Sequence, residues 1–185
     1  MNLRGFSIKT ALIFFFLVTG CGLGLGYLYQ QTQILTPLQN ELGMLPSVKD
    51  IHIAKGRTST EVRLQVGGQL PLGTTMEQVR RILGETGGVY TVELVDNPNQ
   101  ELLDLYAKIR LAVEEAIMTG EFSLLEERIE SLAKNGSFEW ELSLDRDYIY
   151  LELAMGENNV QRVIARGAGE GRISILETGQ VMADG

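Results

Sequence analysis

His52 and Cys21 are the only histidine and the only cysteine among 185 residues, so imidazole and thiol chemistry have one representative each. Asp50 precedes His52 by two positions, on the same side of an alternating stretch. One histidine without a second metal ligand or a nucleophile reads as a surface residue. Asp145-Arg146-Asp147 spaces two carboxylates as metal–nucleotide sites do, but it separates two strongly alternating runs, where Asp serves to turn the backbone. Gly167-x-Gly169-x-Gly171 lacks the spacing and the following helix of a dinucleotide loop, and Gly84 to Gly88 lacks the Lys-Ser/Thr of a phosphate loop. None of the eight serines stands in Gly-x-Ser-x-Gly. The expectation is a protein without catalytic, cofactor-binding or metal residues, and not an enzyme.

One constellation suits recognition. Tyr148 and Tyr150 fall on the same predicted sheet face as Glu139 and Glu141 of the neighbouring strand, which would make an aromatic and acidic partner surface. The competing reading is that one of the preceding helices covers both tyrosines.

The elements that must position these residues begin with an anchor. Residues 10–29 carry no charge, and crossing the bilayer core as a helix takes about 20 apolar residues. Arg4 and Lys9 precede the run, and the next basic residue is Lys49. Basic flanks stay on the cytoplasmic side, so residues 1–9 are expected inside and the C-terminal domain outside. Tyr27 and Tyr29 suit the far interface. Val18-Thr19-Gly20-Cys21 also fits a bacterial lipoprotein signal, with cleavage before a lipidated Cys21; the apolar residues that follow Cys21 favour an uncleaved anchor instead. Either form, like an ordinary cleaved signal, places the rest of the chain outside the cytoplasm. Gly20, Gly22, Gly24 and Gly26 form two overlapping small-xxx-small pairs, spacing that lets membrane helices approach closely.

Partitioning the charge sharpens the picture. The whole chain has 16 Lys+Arg against 24 Asp+Glu, a net of −8; residues 1–29 hold two of the basic residues, Arg4 and Lys9, and none of the acidic ones, leaving −10 on residues 30–185. Such a surface repels phosphate backbones and disfavours nucleic acid. Without a cysteine in that part, its stability must come from a core.

Periodicity supplies the core. Thr36-Pro37 opens a helix with Leu38, Leu42 and Leu45 on one face, strands alternate over 48–54 and 61–66, a capping-box helix follows Thr74 and Thr75, and a strand covers 89–95. This α-β-β-α-β module occupies 34–95. Asn97-Pro98 restarts a helix with an apolar stripe at Leu102, Leu105, Tyr106, Ile109, Val113, Ala116 and Ile117, and Ser123-x-x-Glu126 caps another. Alternating runs over 138–144, 148–155 and 160–166 complete an α-α-β-β-β module over 98–166, its strands an antiparallel meander. Residues 167–185 read as a mobile tail with room for one short strand. The fold class is α+β behind an N-terminal transmembrane helix.

The α-β-β-α-β order behind one membrane helix resembles the small assembly modules of envelope machines, such as the ring-building domains of bacterial sporulation and secretion complexes. The likeness is one of element order over about a third of the chain, and it implies assembly rather than chemistry. The functional expectation is a single-pass cell-membrane protein whose extracytoplasmic domain is a non-catalytic scaffold, its partner another envelope protein or a further copy of itself. The alternative is a ligand sensor or substrate-binding lipoprotein lipidated at Cys21.

Overall fold

The computed structural model describes Ile13 and residues 15–19, 35–68, 70–134, 136–167 and 173–176. Ile13 and 15–19 are helical, with Phe15 and Phe16 exposed. The rest of the expected anchor, including Gly20, Cys21, Gly22, Gly24 and Gly26, lies outside the described residues. Among the described residues no helix is long and apolar enough to cross a membrane.

The protein is a mixed α+β fold with two small sheets. Helix α1 (Thr36–Gly43) is followed by strands β1 (Val48–Lys55) and β2 (Thr60–Val66), helix α2 (Leu72–Thr86) and strand β3 (Tyr90–Leu94). β1 and β2 pair antiparallel, as their short connection dictates; β2 and β3 pair parallel, with α2 as the crossover. Period-two alternation puts Val62, Leu64, Val66, Tyr90, Val92 and Leu94 on one face, where they are buried with Leu38 and Leu42 of α1 and Leu72, Met76, Val79 and Leu83 of α2. The other face carries His52, Arg63, Gln65 and Glu93, none of them buried.

Helices α3 (Gln100–Thr119) and α4 (Phe122–Ala133) then lead into β4 (Glu139–Leu144), β5 (Tyr148–Met155) and β6 (Asn158–Ala165), an antiparallel meander. Ile149, Leu151, Leu153, Val160 and Ile164 pack under Leu102, Leu105, Ile109 and Val113 of α3 and Leu125 and Ile129 of α4. The chain finally returns to the first sheet: β7 (Ile173–Leu176) pairs parallel with β3, giving the order β1-β2-β3-β7. All of α3, α4 and the meander therefore lies in sequence between two adjacent strands of the first sheet.

Three helix starts differ from the capping patterns. Neither Thr74 nor Thr75 caps α2, which begins at Leu72 behind Pro71; the Thr75 hydroxyl donates instead to the Pro71 carbonyl at 3.2 Å. Likewise α4 begins at Phe122, before Ser123. A side-chain cap contributes about 1 kcal/mol, whereas fully burying a leucine contributes roughly 1.5–3 kcal/mol, so drawing Leu72 into the core wins. Asn99, not Asn97, caps α3, accepting from the Leu102 amide at 2.9 Å. Asn97 bridges to Asn159 on the edge of β6.

The two cores meet through β5 and β6. Tyr150 and Val163 project from the second sheet into the cluster built around α2, so β5 is buried on both faces. The linker ahead of α3 adds a polar pin: the Asp96 carboxylate pairs with the Arg162 guanidinium, and the two side chains are 1 % and 5 % exposed. Asp96 also accepts from the Gln161 amide at 3.2 Å, and the Arg162 guanidinium stacks 5.0 Å from the Tyr106 ring centroid.

Candidate functional site

Charged and aromatic groups from distant parts of the chain converge where α2 meets the β4–β5 turn. Asp145 organises the turn: its Oδ1 accepts from the amides of Asp147 and Tyr148, both at 2.7 Å. Its Oδ2 accepts from the Tyr150 hydroxyl at 2.7 Å and from Arg80 Nη1 at 3.2 Å, and Arg80 also donates to the Tyr150 oxygen at 3.2 Å. The guanidinium lies 4.9 Å from the centroid of the Tyr148 ring. Arg166 donates to the Asp145 carbonyl at 2.6 Å. Gly73 permits the close approach: a Cβ there would lie 2.5 Å from Ser143 Oγ and 3.1 Å from Tyr150 Cδ2. Around this junction runs a cleft of about 340 Å³, lined by residues that include Glu77, Arg80, Arg146 and Asp147.

Electrostatics make the junction a clasp. Burial pushes the Asp145 carboxyl up, but the Tyr150 hydroxyl, the two turn amides and Arg80 outweigh it and hold the group below its ordinary value. Tyr150 is driven the other way, first by burial and then by donating to Asp145, so its phenol stays protonated well beyond neutral pH. Both groups are thus locked in the protonation states that hold α2 to the second sheet.

This geometry corrects the expected partner surface. Tyr150 is 2 % exposed and Tyr148 is half-buried, because α2, a helix from the first half of the chain, covers them. Glu139 and Glu141 do lie exposed on that sheet face, but further along it, opposite Ala154 and Glu152 in register. The Glu152 carboxyl is raised by burial and by Glu141, with the Gln161 amide and Lys49 only partly offsetting this. Asp50 uses its Oδ1 to accept from the Ile51 amide at 2.9 Å, and His52 faces outward opposite Arg63. Asp145 and Asp147 form a turn, as their place between two alternating runs suggested. Among the described residues no group of three or more His, Cys, Asp or Glu side chains has metal-binding geometry.

A second surface escaped the sequence reading. Helix α3 buries one stripe, yet Leu103, Leu111 and Met118 are 37 %, 75 % and 85 % exposed, with exposed Ala107 between the first two. At 3.6 residues per turn these four positions fall within an arc of about 80° opposite the core stripe. The i, i+4, i+8, i+15 spacing was the available signal; the stronger core stripe masked it. Beside Leu111, a groove of about 310 Å³ runs between α3 and α4, lined by Lys108, Leu111, Ala112, Glu115, Arg128, Ser131 and Leu132. Arg128 grips Glu115 through both nitrogens, the Nη2–Oε1 contact being 3.0 Å, and holds that carboxyl below its usual range.

In comparisons with protein-family models, curated proteins and solved structures, nothing matches this chain.

Proposed function

We propose that this protein is a membrane-anchored, extracytoplasmic, non-catalytic assembly subunit that works by presenting the outer face of α3 to another envelope component. The observation that carries this reading is the second apolar stripe, Leu103, Ala107, Leu111 and Met118, which the fold leaves uncovered. Isolated exposed leucines are ordinary, but an aligned stripe on a helix that already buries its other side marks a contact surface. The uncharged run 10–29 supports the anchor, and the six residues 30–35 between it and α1 span at most about 20 Å when extended, keeping the domain near the bilayer. The test is photo-crosslinking in intact cells from a probe at Leu111 or Met118, with His52 as the exposed control. A discrete adduct from the α3 positions and none from His52 is expected; recovery of the unmodified monomer alone from all three would count heavily against assembly.

A second reading, a ligand sensor lipidated at Cys21, draws on the polar cleft around Arg80, Arg146 and Asp147. The intact mass of the membrane-extracted protein separates the two forms, because retention of residues 1–20 eliminates a lipidated Cys21.

A further inference from the structure

We propose that the component meeting α3 is a second copy of this chain, whose own α3 packs antiparallel across a two-fold axis close to residue 112. This rests on reading the α3 outer face as a contact surface and adds the identity and geometry of the partner. The argument comes from the charges that flank the stripe. On the side facing the α3–α4 groove stand Lys108 and Glu115; Arg110 stands on the opposite side, and Glu114 lies toward that side but within the arc of the stripe, between Leu103 and Ala107. All four are exposed.

The two possible two-fold arrangements treat these charges oppositely. A parallel pair brings the groove flank of one helix against the far flank of the other at the same height. Lys108 then meets Arg110 of the partner subunit and Glu115 meets Glu114 of the partner subunit, two like-charge contacts repeated by symmetry. An antiparallel pair keeps each flank against the same flank and reverses the order. With the axis near residue 112, Arg110 faces Glu114 of the partner subunit, Lys108 faces Glu115 of the partner subunit, and each pairing occurs twice. The same register sets Leu111 beside Leu111 of the partner subunit, and Met118 between Leu103 and Ala107 of the partner subunit. Apolar fit and charge order select one arrangement.

Other occupants of the stripe fit less well. A lipid surface is disfavoured because residues 30–185 carry a net charge of −10, which anionic headgroups repel. Two anchors in one bilayer raise the effective concentration of the domains, so a modest helix–helix contact suffices. A two-fold axis along the membrane normal leaves both α3 helices in the membrane plane and both anchors entering the same bilayer.

The experiment measures the dimer fraction of the full-length protein in nanodiscs and in detergent, by mass photometry over a concentration series. Leu111→Asp places a charge at the centre of the contact and is expected to weaken dimerisation about 30-fold. Arg110→Glu and Glu114→Arg alone each weaken it, by about tenfold, and the double exchange restores it to within about threefold of the parent. Because Leu111, Arg110 and Glu114 are exposed, an unchanged melting temperature separates loss of pairing from loss of fold. A dimer indifferent to Leu111→Asp, or charge reversals that the double exchange fails to rescue, overturns the proposal. A probe at Leu111 that captures another polypeptide or lipid overturns the self-pairing and leaves a contact surface standing, whereas capture of nothing overturns both.

Discussion

The two sheets place their polar residues under opposite conditions. The first is covered on one face only, so its outward groups keep their water: Arg63 and Glu93 form a 2.7 Å ion pair with side chains 56 % and 36 % exposed. The second lies beneath α3 and α4 on one side and partly beneath α2 on the other: Glu139 and Glu141 stay exposed, Asp145 and Arg80 at the margin keep side chains 34 % and 25 % exposed, and Asp96 with Arg162 is removed from water. Asp96 pairs with Arg162 through one carboxylate oxygen, Oδ2, while its buried Oδ1 has no hydrogen-bond partner among the described residues, and Asp145 is held by Tyr150 and Arg80. A charge pair of similar chemistry is nearly dispensable in the first setting and critical in the second, because what a deletion costs is set by the desolvation of the group left behind.

The comparison can be broken most sharply at the buried pair. Arg162→Ala leaves the Asp96 carboxylate uncompensated in the interior and is expected to cost about 3–5 kcal/mol, read as a lowered urea midpoint of the full-length protein in detergent. A loss below about 1 kcal/mol would mean that water reaches the pair and that the second sheet is no drier than the first.

The clasp comes next. Tyr150→Phe removes the hydroxyl that donates to Asp145 while Arg80 still pairs with it, an expected loss of about 1–2 kcal/mol in the same titration.

Its pH dependence has a defined sign. Asp145 is depressed in the fold, so its contribution is complete above about pH 4 and is lost as pH falls through the lowered value. Glu152 is raised, so the fold prefers its protonated form, and Glu152→Gln stabilises at pH 7 but not below the carboxyl's ordinary range. Acid-limb unfolding of Asp145→Asn and Glu152→Gln should therefore shift in opposite senses. The smallest effect belongs to the first sheet: a double-mutant cycle on Arg63 and Glu93 should return a coupling of about 0.2–1 kcal/mol that shrinks further in added salt.

Much of this architecture was legible before any tertiary information. The alternation of β1, β2 and β4 named which residues share a face, and the stripe from Leu102 to Ala116 named the buried side of α3. The meander followed from its short turns, and Asp145 and Asp147 were recognised as turn residues. The errors share one origin. Tyr148 and Tyr150 have the periodicity of an outward face, and the reading of them as a partner surface failed because α2, some seventy residues earlier, lies over them. The capping patterns at Thr74 and Ser123 were genuine local signals, the first overridden where burying Leu72 gained more, the second by a helix start at Phe122, which packs partly buried against the second core. The outer stripe of α3 was visible as spacing but had no meaning until its opposite face was seen to be fully used.

The sequence by itself determined which residues are apolar, at what period, where the helices after residue 35 and the first six strands fall, and how the charge divides between a basic-flanked uncharged run and an acidic remainder. These are local properties, fixed by spacing along the chain. Tertiary structure decided that β7 closes the first sheet against β3, that α2 lies against both sheets, and that Asp96 and Arg162 share a dry interior. Each of these brings together groups far apart in sequence. Their free energy depends on what remains exposed after packing, and periodicity tells which face seeks cover but not what covers it.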